Sequence, residues 1–232
     1  MLTLRSKDVR IGRSLHSDAM NTTGSVQFFD QQFQRQVAAD DYALNPFEAA
    51  ALPYLAGEVL DFGCGLGNLA IEAARRGCHV TALDASHAAV ERIRVVALRD
   101  SLAIHADEAD LRDFSIANDY DTVVCIGLLM FFDCPAALRQ LHALQTHLRP
   151  GGVVAVNVLV EGTTFMDMFS PEGHCLLRPD ELREHFNDWQ VLSYEVQEFG
   201  APRGTKKVFA TIVARKPSEA SAEACRAGPQ IG

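Results

Sequence analysis

The chain has 232 residues, 48% of them apolar, which is enough for one domain of the larger single-core kind and too little for two. Its net charge of −9 and pI near 5.3 provide no basic field for nucleic acid or an anionic membrane surface, so a small-molecule partner is expected. No run of about 18 apolar residues is present to span a bilayer, and the N-terminus lacks the apolar core of a secretory signal.

Residues 1–23 place Arg5, Lys7, Arg10 and Arg13 among serines and threonines, with Asp8 and Asp18 interrupting the basic run, and read as a mobile polar leader. Residues 24–56 read as an N-terminal helical cap. Within them, Val26 to Asp41 spaces Phe28, Phe29, Phe33 and Val37 as on one face of a helix, for core packing or a lid. Asn45 and Pro46 then break the chain ahead of a helix from Phe47 to Leu55, with Asn45 as its N-cap.

The most informative stretch is Gly57 to Asp84. Val59 to Phe62 is a strand with one carboxylate, Asp61, followed by Gly63, Gly65 and Gly67. A helix then runs from Leu69 to the stop at Gly77, and a second strand from His79 ends in Asp84. Strand, glycine turn, helix, strand and acid form the first half of a doubly wound nucleotide-binding sheet. Asp61 bears on the ligand, because a carboxylate two residues before the first glycine repels a pyrophosphate and attracts a cation. The G-x-G-x-x-G spacing of dinucleotide sites would also need glycine where Asn68 stands. Asp84 suits a ribose diol with either ligand.

Ser86 caps a helix to Asp100. Leu102 to Ala106 is a third strand ending in the acidic Asp107-Glu108-Ala109-Asp110-Leu111, and Tyr120 to Ile126 is a β-branched central strand. Cys125 to Met130 should wall the site at the end of that strand. Asp133 caps a helix from Ala136 to Leu148. The turn Arg149-Pro150-Gly151-Gly152 leads to a fifth strand, Val153 to Val160. A helix at Pro179 to Phe186 and strands at Gln190 to Val196 and Val208 to Ala214 complete the pattern, and residues 217–232 read as a disordered tail. The six cysteines, Cys64, Cys78, Cys125, Cys134, Cys175 and Cys225, include no C-x-x-C pair. They predict neither a zinc site nor a disulfide framework, and a reducing cytoplasm fits.

Leu60-Asp61-Phe62-Gly63-Cys64-Gly65-Leu66-Gly67 is similar to the first motif of class I S-adenosylmethionine-dependent methyltransferases. The resemblance implies an α/β fold: a doubly wound, seven-stranded, mostly parallel sheet with an antiparallel last strand and helices on both faces. Residues 57–216 would be the methyltransferase core. By the same resemblance Asp61, Gly63, Cys64 and Gly65 would hold the methionine end of the cofactor, Asp84 with Ala85 the ribose, and Asp107 with Glu108 the adenine. Ile126 would wall the methyl-transfer site. From Tyr120 to Lys216 the chain looks most like the tellurite-resistance methyltransferases, through Leu129-Met130-Phe131-Phe132, Pro150-Gly151-Gly152 and Phe209-Ala210-Thr211. The His-Arg pair expected between the last two strands is replaced by Glu198-Phe199-Gly200-Ala201-Pro202-Arg203, which leaves a tellurium acceptor without its histidine. No catalytic residue and no metal ligand set is legible. His174 is the histidine best placed as a base, and Arg183 and Arg203 are the cations best placed to attract an anion. The expected activity is methyl transfer to a small molecule. The alternatives are a nicotinamide-dependent oxidoreductase and a non-catalytic domain that binds S-adenosylmethionine.

Overall fold

The computed structural model describes residues 32–33, 35–36, 42–170 and 173–218. The expected leader, the tail from 219 and most of the Val26–Asp41 helix lie outside the described residues, although Gln32, Phe33, Arg35 and Gln36 are helical.

The sheet follows from five strands, apolar and buried on both faces at its centre and more polar toward the edge. These are β1 (Glu58–Phe62), β2 (His79–Asp84), β3 (Ile104–Glu108), β4 (Tyr120–Ile126) and β5 (Leu148–Leu159), and the hairpin β6 (Gln190–Gly200) with β7 (Lys206–Arg215) completes seven. The order is β3-β2-β1-β4-β5-β7-β6; β1 to β5 are parallel, and β7 runs antiparallel to both β5 and β6. Chain crossovers diverge between β1 and β4, the switch point where doubly wound sheets form their ligand crevice.

Alternation along the strands sorts the core onto two faces. Leu60, Phe62, Val123, Val154 and Val156 pack with α4 (Cys134–Thr146) and the short α5 (Glu181–Glu184). Val59, Val124, Ala155 and Val213 face α1 (Pro46–Ala51), α2 (Asn68–Arg75) and α3 (His87–Asp100). Helix starts are fixed by local chemistry: Ser86 Oγ accepts from Ala89 N–H, Asp133 from Ala136 N–H, and Asn45 forms a reciprocal capping box with Glu48.

Several predicted boundaries move. β3 is shifted two residues toward the C-terminus, so Asp107 and Glu108 lie within the strand rather than beyond it. The helix expected at 136–148 runs from 134 to 146 because Leu148 pairs with Tyr120 in the sheet. The helix expected at 179–186 shortens to four residues, and the hairpin strands extend to Gly200 and from Lys206.

The cysteine reading needs correction. Cys134 and Cys175, 41 residues apart, are disulfide-bonded with Cα atoms 4.7 Å apart, whereas Cys64, Cys78 and Cys125 are free and buried. Sequence spacing could not reveal this pair, because only the folded insertion after β5 brings Cys175 back to the first turn of α4. Among the described residues no helix is long and apolar enough to cross a membrane, and no three His, Cys, Asp or Glu side chains are grouped to hold a metal.

Candidate cofactor and acceptor site

The glycine turn leaves β1 and is pinned to β2, with Gly63 and Cys64 N–H groups both donating to Leu83 O at 2.8 and 3.0 Å. Gly63 has φ +85°, and a Cβ there would lie 2.8 Å from the Leu128 side chain. A Cβ on Gly65 would approach the Phe33 ring at 3.2 Å, so Phe33 from the N-terminal segment lies over the turn as a cap would. Gly67, at φ +74°, starts α2 and touches α3, where a Cβ would meet Ile93 at 2.4 Å. Asp84 closes the turn from the neighbouring strand end: one carboxylate oxygen accepts from Gly65 N–H at 2.8 Å and the other from Ser86 N–H at 2.9 Å.

Asp61 sits beneath this turn, 5% exposed, and its Oδ2 is buried without a hydrogen-bond partner. Burial first, and then the charges of Glu48 and Asp84, push its carboxyl from the ordinary 3.8 up to about 8. Glu48 on α1 is likewise raised by burial, partly offset by the hydrogen bond from Asn45 N–H. Three carboxylates therefore converge from β1, β2 and α1. Such a cluster disfavours a phosphate and favours a cationic ligand that can reach the partnerless oxygen. Burial also raises the Cys64 and Cys125 thiols, removing both as nucleophiles at neutral pH. Arg92 donates to Leu66 O and lies 3.9 Å over the Tyr42 ring, tying the turn to the segment ahead of α1.

The structure thus gathers Asp61, Gly63, Cys64, Gly65, Asp84 and Ala85 at the carboxyl ends of β1 and β2. Glu108 pairs with Asp84 across β2 and β3, and its carboxylate meets His87 at 2.8 Å. The Asp107 carboxylate is engaged by Arg94 at 3.2 Å and His105 at 2.8 Å, an ion-pair role that the sequence did not show. Ile126 ends β4 as expected. The candidate base His174 is exposed and stacks on Phe169 at 4.7 Å; Arg203 is paired with Asp167, and Arg183 lies 5.6 Å over Tyr194.

Three residues escaped sequence reading. Glu48 was legible only as the far end of a capping box. Asn157 and Thr211, joined by an Asn157 Nδ2 to Thr211 Oγ1 hydrogen bond of 2.8 Å, are polar side chains in otherwise apolar strands. A lone asparagine inside Val153–Val160 was the available signal.

Residues 59–152 match the methyltransferase domain family. The chain is 31% identical over 172 residues to hemagglutinin 1 of Eikenella corrodens, covering 69% of this chain and 55% of that protein. It is 26% identical over 167 residues to a probable S-adenosyl-L-methionine-dependent methyltransferase, TehB, of Haemophilus influenzae, covering 68% of this chain and 57% of that one. The chain therefore spans little more than half the length of these curated relatives. The crystal structure of TehB from Haemophilus influenzae superposes with a TM-score of 0.64 at 21% identity, over 78% of this chain and 65% of that chain. That of the N-methyltransferase NodS from Bradyrhizobium japonicum, in complex with S-adenosyl-L-homocysteine, gives 0.59 at 18% identity, over 82% and 99%. The sheet order and the glycine turn fit these matches: residues 59–152 form a methyltransferase domain by family likeness, on the fold that the TehB structure also has.

Proposed function

We propose that this chain transfers the methyl group of S-adenosylmethionine to a small-molecule acceptor. The observation that carries the reading is the partnerless, buried Asp61 oxygen flanked by Glu48 and Asp84 under the glycine turn. Asp61, with Gly63, Cys64 and Gly65, would hold the ammonium end of the cofactor. Asp84 with Ala85 would hold the ribose, and the β3 end at Asp107 and Glu108 the adenine. Ile126 would face the methyl. The cofactor, when bound, supplies an electrophilic methyl on a leaving group that departs neutral, so the chain needs only to align the partners in a dry cleft. Bound there, the cofactor would present its methyl to an acceptor beside Ile126 at the end of β4, and the chain's part would be to hold the two in line. Residues 24–56 would close the cleft, a role supported by Phe33 over Gly65.

The net negative charge supports a small-molecule acceptor over nucleic acid. The buried free thiols fit a cytoplasmic setting, in which the Cys134–Cys175 bond would face the thiol pool. Titration calorimetry with S-adenosylhomocysteine and with NAD tests the cofactor assignment. Binding of the first without the second is expected, and the reverse pattern would overturn it. Incubation with methyl-labelled S-adenosylmethionine and an acceptor panel separates an enzyme from a binding domain.

A further inference from the structure

The structure assigns the acceptor a chemical class: from the buried, partnerless Asn157 Oδ1 beside Ile126, we infer that this site takes an uncharged molecule presenting an O–H or N–H donor on an apolar body. The inference rests on the methyl-transfer reading and names the substrate of that same site. Asn157 is fully buried in β5, where it is the register partner of Ile126 on one side and of Thr211 on the other. Strand alternation puts it on the face that carries Val124, Ala155 and Val213, the face of Asp61 and α1, and one pleat beyond Asp61 toward the carboxyl ends of the strands. Its amide nitrogen is used by Thr211 and its amide oxygen has no partner. Ile126 and Thr211 on either side are only half-buried, so solvent reaches the floor on both sides of Asn157, which is itself closed over.

A buried carbonyl without a donor is costly, and an acceptor that supplies the donor recovers that cost. The walls beyond it are apolar and aromatic: Phe47 of α1 stands 4.8 Å from Phe209, the residue two before Thr211, and Leu159 packs with Met130. Of the cations at this end, Arg203 is committed to Asp167 and Lys206 to Glu198, and Lys207 lies 4.9 Å over the Phe165 ring with its ammonium form disfavoured by burial, while the Asp84 carboxylate stands at the cofactor end. An oxyanion would meet repulsion from one end and, at the other, no free guanidinium and only an ammonium that burial pushes toward its neutral form. A neutral donor held on Asn157 Oδ1 keeps its lone pair available to the methyl group.

The test uses the full chain loaded with S-adenosylhomocysteine and three probes of equal ring size: phenol, a neutral donor; anisole, neutral without a donor; and benzoate, an anion. Ligand-observed NMR titration is expected to rank phenol ahead of both others by about tenfold, the scale of one hydrogen bond to a buried acceptor. Asn157→Val, close in volume and suited to a strand, should erase that preference and leave S-adenosylhomocysteine affinity within about twofold, because only acceptor contacts are removed. Should that variant fail to fold by circular dichroism, Asn157→Ala, which likewise removes the amide oxygen, serves in its place with the same expectation. The inference is overturned if benzoate binds as well as phenol, if phenol does not bind the loaded protein, or if the preference survives the substitution that folds. Absence of S-adenosylhomocysteine binding to the wild-type chain would instead refute the cofactor assignment.

Discussion

Asp61 should release a proton when the cofactor binds. Its folded-state carboxyl is pushed by burial, and then by Glu48 and Asp84, from 3.8 to about 8. In the free protein at pH 7 it is therefore protonated in about nine molecules of ten, and at about 1.4 kcal/mol per unit its charged form is disfavoured by about 6 kcal/mol. A ligand ammonium meeting Oδ2 restores the charged form, so S-adenosylhomocysteine binding should expel close to one proton at pH 7, about half at pH 8 and little at pH 9. Affinity should rise by up to about tenfold per pH unit until pH 8 and then level. The stability of the free protein runs the other way. A raised folded-state value means the contribution is complete below the unfolded value near 4 and is lost as pH climbs to about 8, with Glu48 adding in the same direction. Asp61→Asn should remove the proton release and stabilise the free protein at pH 8 by about 2–4 kcal/mol, the charge cost less that of a buried amide. It should also weaken S-adenosylhomocysteine binding at least tenfold at that pH. Calorimetry in phosphate and Tris, whose ionisation enthalpies differ, counts the protons, and thermal melts across pH read the stability. Buffer-independent binding enthalpy at pH 7, or an unchanged proton count in Asp61→Asn, would refute the electrostatic account.

Breaking the Cys134–Cys175 link, by Cys134→Ser or a dithiol, should cost about 4 kcal/mol, the chain-entropy value for a loop of 41 residues, read as a lower chemical-denaturation midpoint. A change under 1 kcal/mol would show that the insertion is held by its packing alone. Gly67→Ala should lose about 2–5 kcal/mol, since it adds left-handed strain at φ +74° and a Cβ 2.4 Å from Ile93. An unshifted melting temperature would contradict that close contact of α2 with α3. Asp84→Ala should weaken S-adenosylhomocysteine by about 1.5–3 kcal/mol, with part of the effect arising because Gly65 and Ser86 N–H groups lose their acceptor. Unchanged affinity by calorimetry would remove Asp84 from the site.

What was legible in the sequence was local. The Asp61–Gly67 turn, the capping serine at 86 and the acid at 84 are read from neighbours within a few residues, because strand ends, positive φ and helix caps are decided at that range. The buried strands were legible because parallel sheets leave no polar face. What stayed hidden depends on distance along the chain. Glu48 meets Asp61 only when α1 folds back over β1. Cys134 meets Cys175 only once the 161–177 insertion is placed, and Asn157 gains meaning from its partners on β4 and β7. Asp107 differs from these. Its position was read from a motif, yet its carboxylate is engaged by Arg94 and His105, and that engagement follows from β3 starting two residues late against α3.

The charge around the proposed acceptor end argues against an anionic substrate. The hairpin between β6 and β7 retains a cation, Arg203, at a turn held in the left-handed region at φ 59°, next to Ala201, which packs on the Met130–Leu159 cluster. Asp167 from the insertion neutralises it. If that ion pair is what makes the acceptor end indifferent to anions, Asp167→Asn should free the guanidinium and strengthen benzoate binding to the S-adenosylhomocysteine-loaded chain. Both partners are well exposed, so the gain should be modest, about two- to fivefold, corresponding to 0.4–1 kcal/mol for a surface pair, and it should fade in 0.5 M salt. Phenol binding should not change, because Asn157 lies on the strand floor rather than in the hairpin. An increase for both probes would point to a general loosening of the insertion. No increase for either would place Arg203 outside the acceptor's reach and leave Asn157 as the polar group that selects it.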